Sequence, residues 1–108
     1  MKQDQIKKAI KELKELLTQR FGKLIKTYLF GSVARGDYTS LSDIDLMVIL
    51  DKKVDNTLEE EVFNLAYHLE LKYDVIFGIV VYAKNFWNSS LAKEMPLRKV
   101  FMKEGVLI

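Results

Sequence analysis

The chain of 108 residues is 49% hydrophobic and 30% charged, and its formal net charge is +2. This composition excludes an intrinsically disordered chain, and so small a net charge argues against a nucleic-acid-binding or anionic-membrane-binding surface. The absence of cysteine excludes disulfides, thiolate zinc sites and cysteine nucleophiles, and it fits a reducing, cytoplasmic compartment. We expect residues 1–108 to form one domain with a modest core.

The N-terminal segment has the pattern of an amphipathic helix, because apolar residues recur there at helical spacing: Ile6, Ile10, Leu13 and Leu17. The helix is predicted from residue 4 to about residue 20, and Gly22 is expected to end it. Its lysines alternate with glutamates, so we interpret them as a solvated face and not as a basic patch.

Two strands are predicted next along the chain. Residues 24–30 are rich in β-branched and aromatic side chains and stop at a glycine, which indicates a first strand, and residues 32–35 follow as a short helix. After a polar loop over 36–42, residues 44–50 are almost continuously apolar. Such a segment is typical of a central strand that is covered on both faces.

The second half of the chain is predicted to contain a helix, a strand and a last helix. Asn56 or Thr57 can cap the first of these helices. The third strand is predicted over about 73–82. The apolar run there is less than half of the roughly 20 residues that a membrane-spanning helix needs, so we interpret it as a buried strand. Pro96 is placed for the first turn of a last helix, which Gly105 closes.

The predicted order is helix, strand, strand, helix, strand, helix, with no repeat or low-complexity segment. This order indicates an α/β (α+β) fold with a small sheet flanked by helices. The link between the first two strands is too short for an ordinary parallel crossover, so part of the sheet is expected to be antiparallel or mixed. A regular doubly wound sheet is therefore disfavoured.

Three acidic residues are candidates for metal binding and catalysis. Asp43 and Asp45 are two residues apart at the start of the second strand, so their side chains face one site. Their repulsion is relieved by a cation, by a neighbouring arginine or by protonation, and Mg²⁺ commonly joins one or two carboxylates to substrate phosphates. Asp74, at the predicted start of the third strand, completes a three-carboxylate metal site if the second and third strands are neighbours, or it deprotonates the acceptor. A cap or turn is the alternative role of each acid.

Gly31 and Ser32 connect the first strand to the short helix, where free backbone N–H groups and the serine hydroxyl can bind a triphosphate. The alternative is an ordinary strand-to-helix turn. The segment is neither a Walker loop nor a dinucleotide-binding fingerprint, since it lacks Gly-Lys-Ser/Thr and a middle glycine. Arg35 can contact a phosphate, or it can form an ion pair with Asp37 or Asp43.

Four other residues, whose side chains could bind a metal or stack on a base, are interpreted as structural. His68 has no His or Cys partner at ligand spacing. Phe86, Trp87 and Phe101 have no basic residues interleaved with them, so we expect them in the core and not on a base-stacking platform.

One segment of the chain closely resembles the signature of the DNA polymerase beta-like nucleotidyltransferase superfamily: Gly31-Ser32-Val33-Ala34-Arg35-Gly36, a six-residue spacer and Asp43-Ile44-Asp45. The resemblance implies a nucleotidyltransferase-like fold in which the Gly-Ser pair binds triphosphate and the two aspartates ligate Mg²⁺. It also implies a third acid on a later strand, a role that Asp74 matches.

The short length, the leading helix and the segment over 95–106 resemble the minimal nucleotidyltransferase (MNT) group, over nearly the whole chain. Members of this group commonly act as antitoxins paired with a HEPN-domain ribonuclease toxin, some by transferring AMP to a toxin tyrosine. The resemblance therefore implies a Mg²⁺-dependent enzyme that moves AMP from ATP to a hydroxyl acceptor. The acceptor hydroxyl is expected to attack the α-phosphorus and to release pyrophosphate.

Two other functions are compatible with the same residues. The chain can be a binding module that masks its partner without catalysis. The apolar tail over 106–108 supports this alternative. It can also be a small-molecule adenylyltransferase of the aminoglycoside type, which would need a homo-oligomer to form an acceptor pocket. The sequence does not determine the acceptor, the preferred nucleotide or the oligomeric state.

Overall fold

A computed structural model describes residues 2–39 and 41–108 of the chain. The helices and strands follow in this order: α1 (Lys2–Phe21), β1 (Ile25–Phe30), α2 (Gly31–Arg35), β2 (Ile44–Leu50), α3 (Asn56–Tyr73), β3 (Phe77–Ala83), α4 (Lys84–Trp87), α5 (Ser90–Lys93), α6 (Pro96–Glu104) and β4 (Val106–Leu107). A 3₁₀ turn over Gly22–Leu24 joins α1 to β1, so the first helix ends at the predicted glycine. No helix within the two described ranges is long and apolar enough to cross a membrane.

The four strands form one mixed sheet in the order β3-β2-β1-β4. β1 pairs antiparallel with β2, and β2 pairs parallel with β3. The predicted mixed sheet is confirmed, and the direct antiparallel pairing of β1 with β2 explains why their link is short. β4 was not predicted, because a strand of two residues is too short to show an alternating pattern. It pairs antiparallel with the outer edge of β1.

β2 separates the core into two layers, because its side chains alternate between the two faces of the sheet. The larger cluster, shared with α1 and α3, contains four β2 residues: Ile44, Leu46, Val48 and Leu50. Met47 and Ile49 point to the opposite face and pack with Trp87 and Phe101. The prediction of a central strand covered on both faces is therefore confirmed. By the same alternation, Asp45 lies on the face of Met47 and Ile49.

Of the four residues interpreted as structural, two are buried and two are exposed. Trp87 and Phe101 are buried as expected and meet edge to face, with ring centroids 5.1 Å apart. Phe86 is 36% exposed and stacks on Tyr82, so the prediction that it lies in the core is wrong. His68 is exposed on α3.

The start of α3 differs from its prediction. Asp55 is the N-cap, and its side chain accepts a hydrogen bond from the Leu58 N–H at 2.9 Å. Asn56 and Thr57, the predicted caps, lie inside the first turn. An aspartate is as good a cap as an asparagine and adds a negative charge at the positive end of the helix, which favours the earlier residue.

The start of β3 also differs, because α3 continues to Tyr73 and ends at Asp74 in a left-handed conformation with φ 54°. The Val75 N–H then donates to the Glu70 carbonyl, which closes the helix. β3 therefore begins at Phe77 and not near Tyr73. It is an edge strand whose residues are all partly exposed, so the prediction of a buried strand is wrong.

A polar cluster joins α1 to the end of α3. Glu12 accepts hydrogen bonds from Lys72 Nζ at 2.8 Å and from the Tyr73 hydroxyl. These two bonds, with that of Lys72 the stronger cause, lower the pKa of Glu12 below its ordinary value. The ionised carboxylate is thus favoured by folding, and its contribution to stability depends on pH.

We expect Glu12→Gln to lower the melting temperature at about pH 7 and to have little effect at about pH 2. The ionised Glu12 stabilises the fold above its unfolded pKa, and this contribution is lost as the pH falls through the lower pKa of the folded state. Thermal unfolding followed by circular dichroism across this range measures the difference. Glu15→Gln, an exposed position on the same helix, is the control. An equal effect of Glu12→Gln at both pH values would contradict the prediction.

Candidate active site

Asp45 is the second residue of β2, and each neighbouring strand brings a glycine beside it. In the antiparallel pairing Asp45 lies opposite Phe30, the last residue of β1, which Gly31 follows directly. In the parallel pairing Asp45 lies opposite Gly78 of β3. The side chain of Asp45 therefore enters a gap between two glycines.

The two glycines leave the space that the Asp45 carboxylate occupies. A Cβ atom on Gly78 would come within 2.9 Å of Asp45 Oδ1, and a Cβ atom on Gly31 would overlap Asp45 Oδ2. Gly31 also has a φ of 74°, a conformation that side chains disfavour. The sequence pattern singled out Gly31 but not Gly78. A glycine inside a strand is the signal that was available, since it often marks the close approach of another group.

Burial and neighbouring acids make the ionised form of Asp45 costly. Its pKa is raised, first by burial and then by the negative charge of Asp43, while Arg35 acts in the opposite direction. Asp43 lies exposed immediately before β2. The structure thus brings the two predicted acids together and leaves negative charge that a bound cation would neutralise.

Arg35, the last residue of α2, contacts two acids. Its Nε donates to Asp37 at 3.1 Å, which is one of the predicted ion pairs. Its Nη1 donates to both carboxylate oxygens of Glu104, at 3.0 and 2.9 Å. Glu104 was not predicted to belong to the site. Its carboxylate also accepts a hydrogen bond from the Gly31 N–H at 3.2 Å, so it touches two of the predicted nucleotide-binding residues.

Ser32 lies in the first turn of α2 and is half-buried. Its backbone carbonyl accepts from the Gly36 N–H at 2.9 Å and from the Asp37 N–H at 3.2 Å, which closes this short helix. Gly36 permits the closure because its φ is 84°. The predicted connection of the first strand to a short helix at Gly31 and Ser32 is confirmed, and its binding of a triphosphate stays a prediction.

Asp74 does not lie where the three-acid cluster was predicted. It is the C-cap of α3 and precedes the start of β3, and the β3 residue opposite Asp45 is Gly78. Within residues 2–39 and 41–108, no group of three or more His, Cys, Asp or Glu side chains could hold a metal ion. The expected pairing of the second and third strands is confirmed, but the left-handed cap moves the start of the strand beyond Asp74.

The two remaining acids nevertheless fit Mg²⁺. This cation prefers oxygen ligands and is commonly held by one or two carboxylates together with substrate phosphates and water, so a third protein acid is not required. Asp43 and Asp45 supply such oxygens. Burial, and then the negative charge of Asp43, raise the pKa of Asp45, and a bound cation would offset that charge.

We expect Asp45→Asn to raise the melting temperature of the metal-free protein by about 2–5 °C at neutral pH. Asparagine keeps the shape that fits between Gly31 and Gly78, but it removes a partly buried charge beside Asp43. Calorimetry in the presence of a chelator measures the change. Asp51→Asn, an exposed position just beyond the far end of β2, is the control. A lower melting temperature for Asp45→Asn would show that the carboxylate stabilises the fold.

Two comparisons of the sequence identify relatives. The sequence model of the nucleotidyltransferase domain family matches residues 6–108. A protein of Methanocaldococcus jannaschii that is named a protein adenylyltransferase is 38% identical over 85 residues, which cover 78% of this chain and 80% of that protein. The chain and this relative therefore correspond over most of both lengths.

Two solved structures share the fold. A chain of the toxin-antitoxin MntA–HpeT crystal structure has a TM-score of 0.61 and 26% identity, and the match covers 91% of this chain and 69% of that one. A chain of the complex between the tri-AMPylated Shewanella oneidensis HEPN toxin and its MNT antitoxin has a TM-score of 0.53 and 25% identity, with 99% of this chain and 71% of that one covered. The chain therefore belongs to the nucleotidyltransferase family, as an enzyme of the minimal nucleotidyltransferase (MNT) group within the DNA polymerase beta-like superfamily.

Proposed function

We propose that the chain is a cytoplasmic antitoxin that transfers AMP from ATP to a tyrosine hydroxyl of a HEPN-type toxin. Two relatives support this proposal: the Methanocaldococcus jannaschii protein bears the name of a protein adenylyltransferase, and one structural neighbour is an MNT antitoxin in complex with an AMPylated HEPN toxin. In the chain itself, the observation that carries the proposal is the Asp45 carboxylate, held between Gly31 and Gly78 beside Asp43.

Each site residue has a distinct task in this proposal. Asp43 and Asp45 hold Mg²⁺, which when bound offsets negative charge on the phosphates during transfer. The Gly31 N–H and Ser32 bind the triphosphate, and the planar guanidinium of Arg35 supplies further donors to phosphate oxygens. A new bond forms between the acceptor oxygen and the α-phosphorus, the hydroxyl proton passes to water, and the bond from the α-phosphorus to the departing pyrophosphate breaks. The residues contribute positioning and charge neutralisation, so no covalent enzyme intermediate is required.

The proposal gives Asp74 no metal-binding task. Asp74 caps the end of α3 in a left-handed conformation, and no group of three or more ligating side chains within the described ranges could hold a metal ion. One or two carboxylates suffice for Mg²⁺ when substrate phosphates complete the ligand set, so Asp43 and Asp45 are adequate by themselves.

AMP transfer is tested by incubating the protein with α-labelled ATP, Mg²⁺ and a HEPN-type toxin encoded in the adjacent gene. We expect label on the toxin, no label when a chelator removes Mg²⁺, and a loss of at least about 100-fold in labelling rate for Asp43→Asn. Asp51→Asn is the matched control, because it removes an exposed aspartate just beyond the opposite end of β2. Inhibition of the toxin without any label would favour masking of the partner, and an unlabelled, uninhibited toxin would contradict an antitoxin function.

We expect Gly31→Ala to abolish AMP transfer and Gly22→Ala to preserve it. Both glycines have a left-handed φ, 74° and 58°, so both substitutions add similar backbone strain, of about 1 kcal/mol. Only the Cβ on Gly31 would overlap the Asp45 carboxylate, whereas nothing lies within 4 Å of a Cβ on Gly22. Labelling rates at equal folded fraction measure the difference. Equal rates in the two variants would show that the space beside Asp45 does not matter.

A further inference from the structure

Glu104, the last residue of α6, contacts the donors that the proposed function assigns to the triphosphate. Its Oε2 accepts from the Gly31 N–H at 3.2 Å, and its two oxygens accept from Arg35 Nη1 at 3.0 and 2.9 Å. The Glu104 side chain is only 24% exposed, so these bonds are partly shielded from water. An internal carboxylate therefore occupies donors suited to an anionic ligand.

The backbone on the C-terminal side of Glu104 places this carboxylate beside Gly31 and Arg35. The Gly105 N–H donates to the Phe101 carbonyl at 2.7 Å, which closes α6. Gly105 also lies so close to Phe101 that a Cβ atom would come within 2.6 Å of the aromatic ring. β4 follows directly and pairs with β1. The backbone of Glu104 thus lies between a closed helix end and a paired strand, and its carboxylate can leave the two donors by side-chain rotation alone.

The charge of Glu104 opposes the binding of another anion at the same place. A triphosphate that approached Gly31 and Arg35 would meet a like charge on the donors it needs. Like charges that share one site repel, so one of the two anions has to leave.

We propose that Glu104 is a displaceable internal anion, which occupies the triphosphate donors in the free protein and must leave Gly31 and Arg35 when nucleotide binds. The inference rests on the proposed function, because it concerns the same donors.

The test is the equilibrium affinity of the whole chain for inorganic tripolyphosphate and for MgATP, measured by isothermal titration calorimetry. Glu104→Gln removes the charge and keeps the size of the side chain, and we expect it to bind both ligands about tenfold more tightly than the unmodified chain. Asp37→Asn is the matched control, because Asp37 is the other acid on Arg35 and is exposed. We expect its affinities to change by less than about threefold.

A second measurement, on the unmodified chain, applies if Glu104→Gln fails to fold. Tripolyphosphate is added to the ¹⁵N-labelled protein, and the amide resonances are followed by NMR. We expect the Gly31 and Gly105 signals to shift together, because the departing carboxylate belongs to the residue immediately before Gly105. A shift of the Gly31 signal with an unmoved Gly105 signal would overturn the inference.

The outcomes separate this inference from the proposed function. If the chain transfers AMP but Glu104→Gln binds the ligands with unchanged or weaker affinity, the inference is overturned and the proposed function stands. Glu104 would then be a residue that positions Arg35. Tighter tripolyphosphate binding by Glu104→Gln without AMP transfer to a toxin would support the inference and contradict the function. Absence of binding by both forms would overturn the inference, since its premise is that Gly31 and Arg35 bind a triphosphate once the Glu104 carboxylate has left them.

Discussion

The packing of one carboxylate between two glycines is the constraint on which the rest of the site depends. Asp45 lies on a central strand, and the residues that touch its carboxylate from β3 and from the end of β1 both lack a side chain. Gly31 makes room for the acid and at the same time offers its N–H to an anion. The acid and the anion donor are therefore positioned together, by the pairing of three strands.

This arrangement is unfavourable for the empty site and suited to a site that binds a cation. Burial and the charge of Asp43 both raise the pKa of Asp45, so ionised Asp45 is destabilised until positive charge arrives. The fold tolerates that cost because β2 is buried on both faces beyond the acid, as at Val48. Glu104, near the C-terminal end of the chain, adds further negative charge beside Asp45. The charge at the site thus depends on the C-terminal segment as well as on β2.

Local signals in the sequence were sufficient to predict the central strand and to single out the acidic pair on it. β2 was predicted at its observed bounds, Ile44–Leu50, because an apolar run between polar residues is local information. Non-local features could not be predicted in the same way. The place of Gly78 beside Asp45 follows from strand register, and the displacement of Asp74 follows from a left-handed cap. Glu104 reaches Gly31 across 73 positions of sequence, a separation that no local pattern describes.

The most direct test of the central claim is the position of Mn²⁺, an anomalous scatterer that replaces Mg²⁺, in a crystal grown with a non-hydrolysable ATP analogue. We expect an anomalous peak about 2 Å from carboxylate oxygens of both Asp43 and Asp45, bridged to the phosphates of the analogue. We also expect a phosphate oxygen within hydrogen-bond distance of the Gly31 N–H. A bound analogue whose metal lies away from these two carboxylates would contradict the assignment of this site.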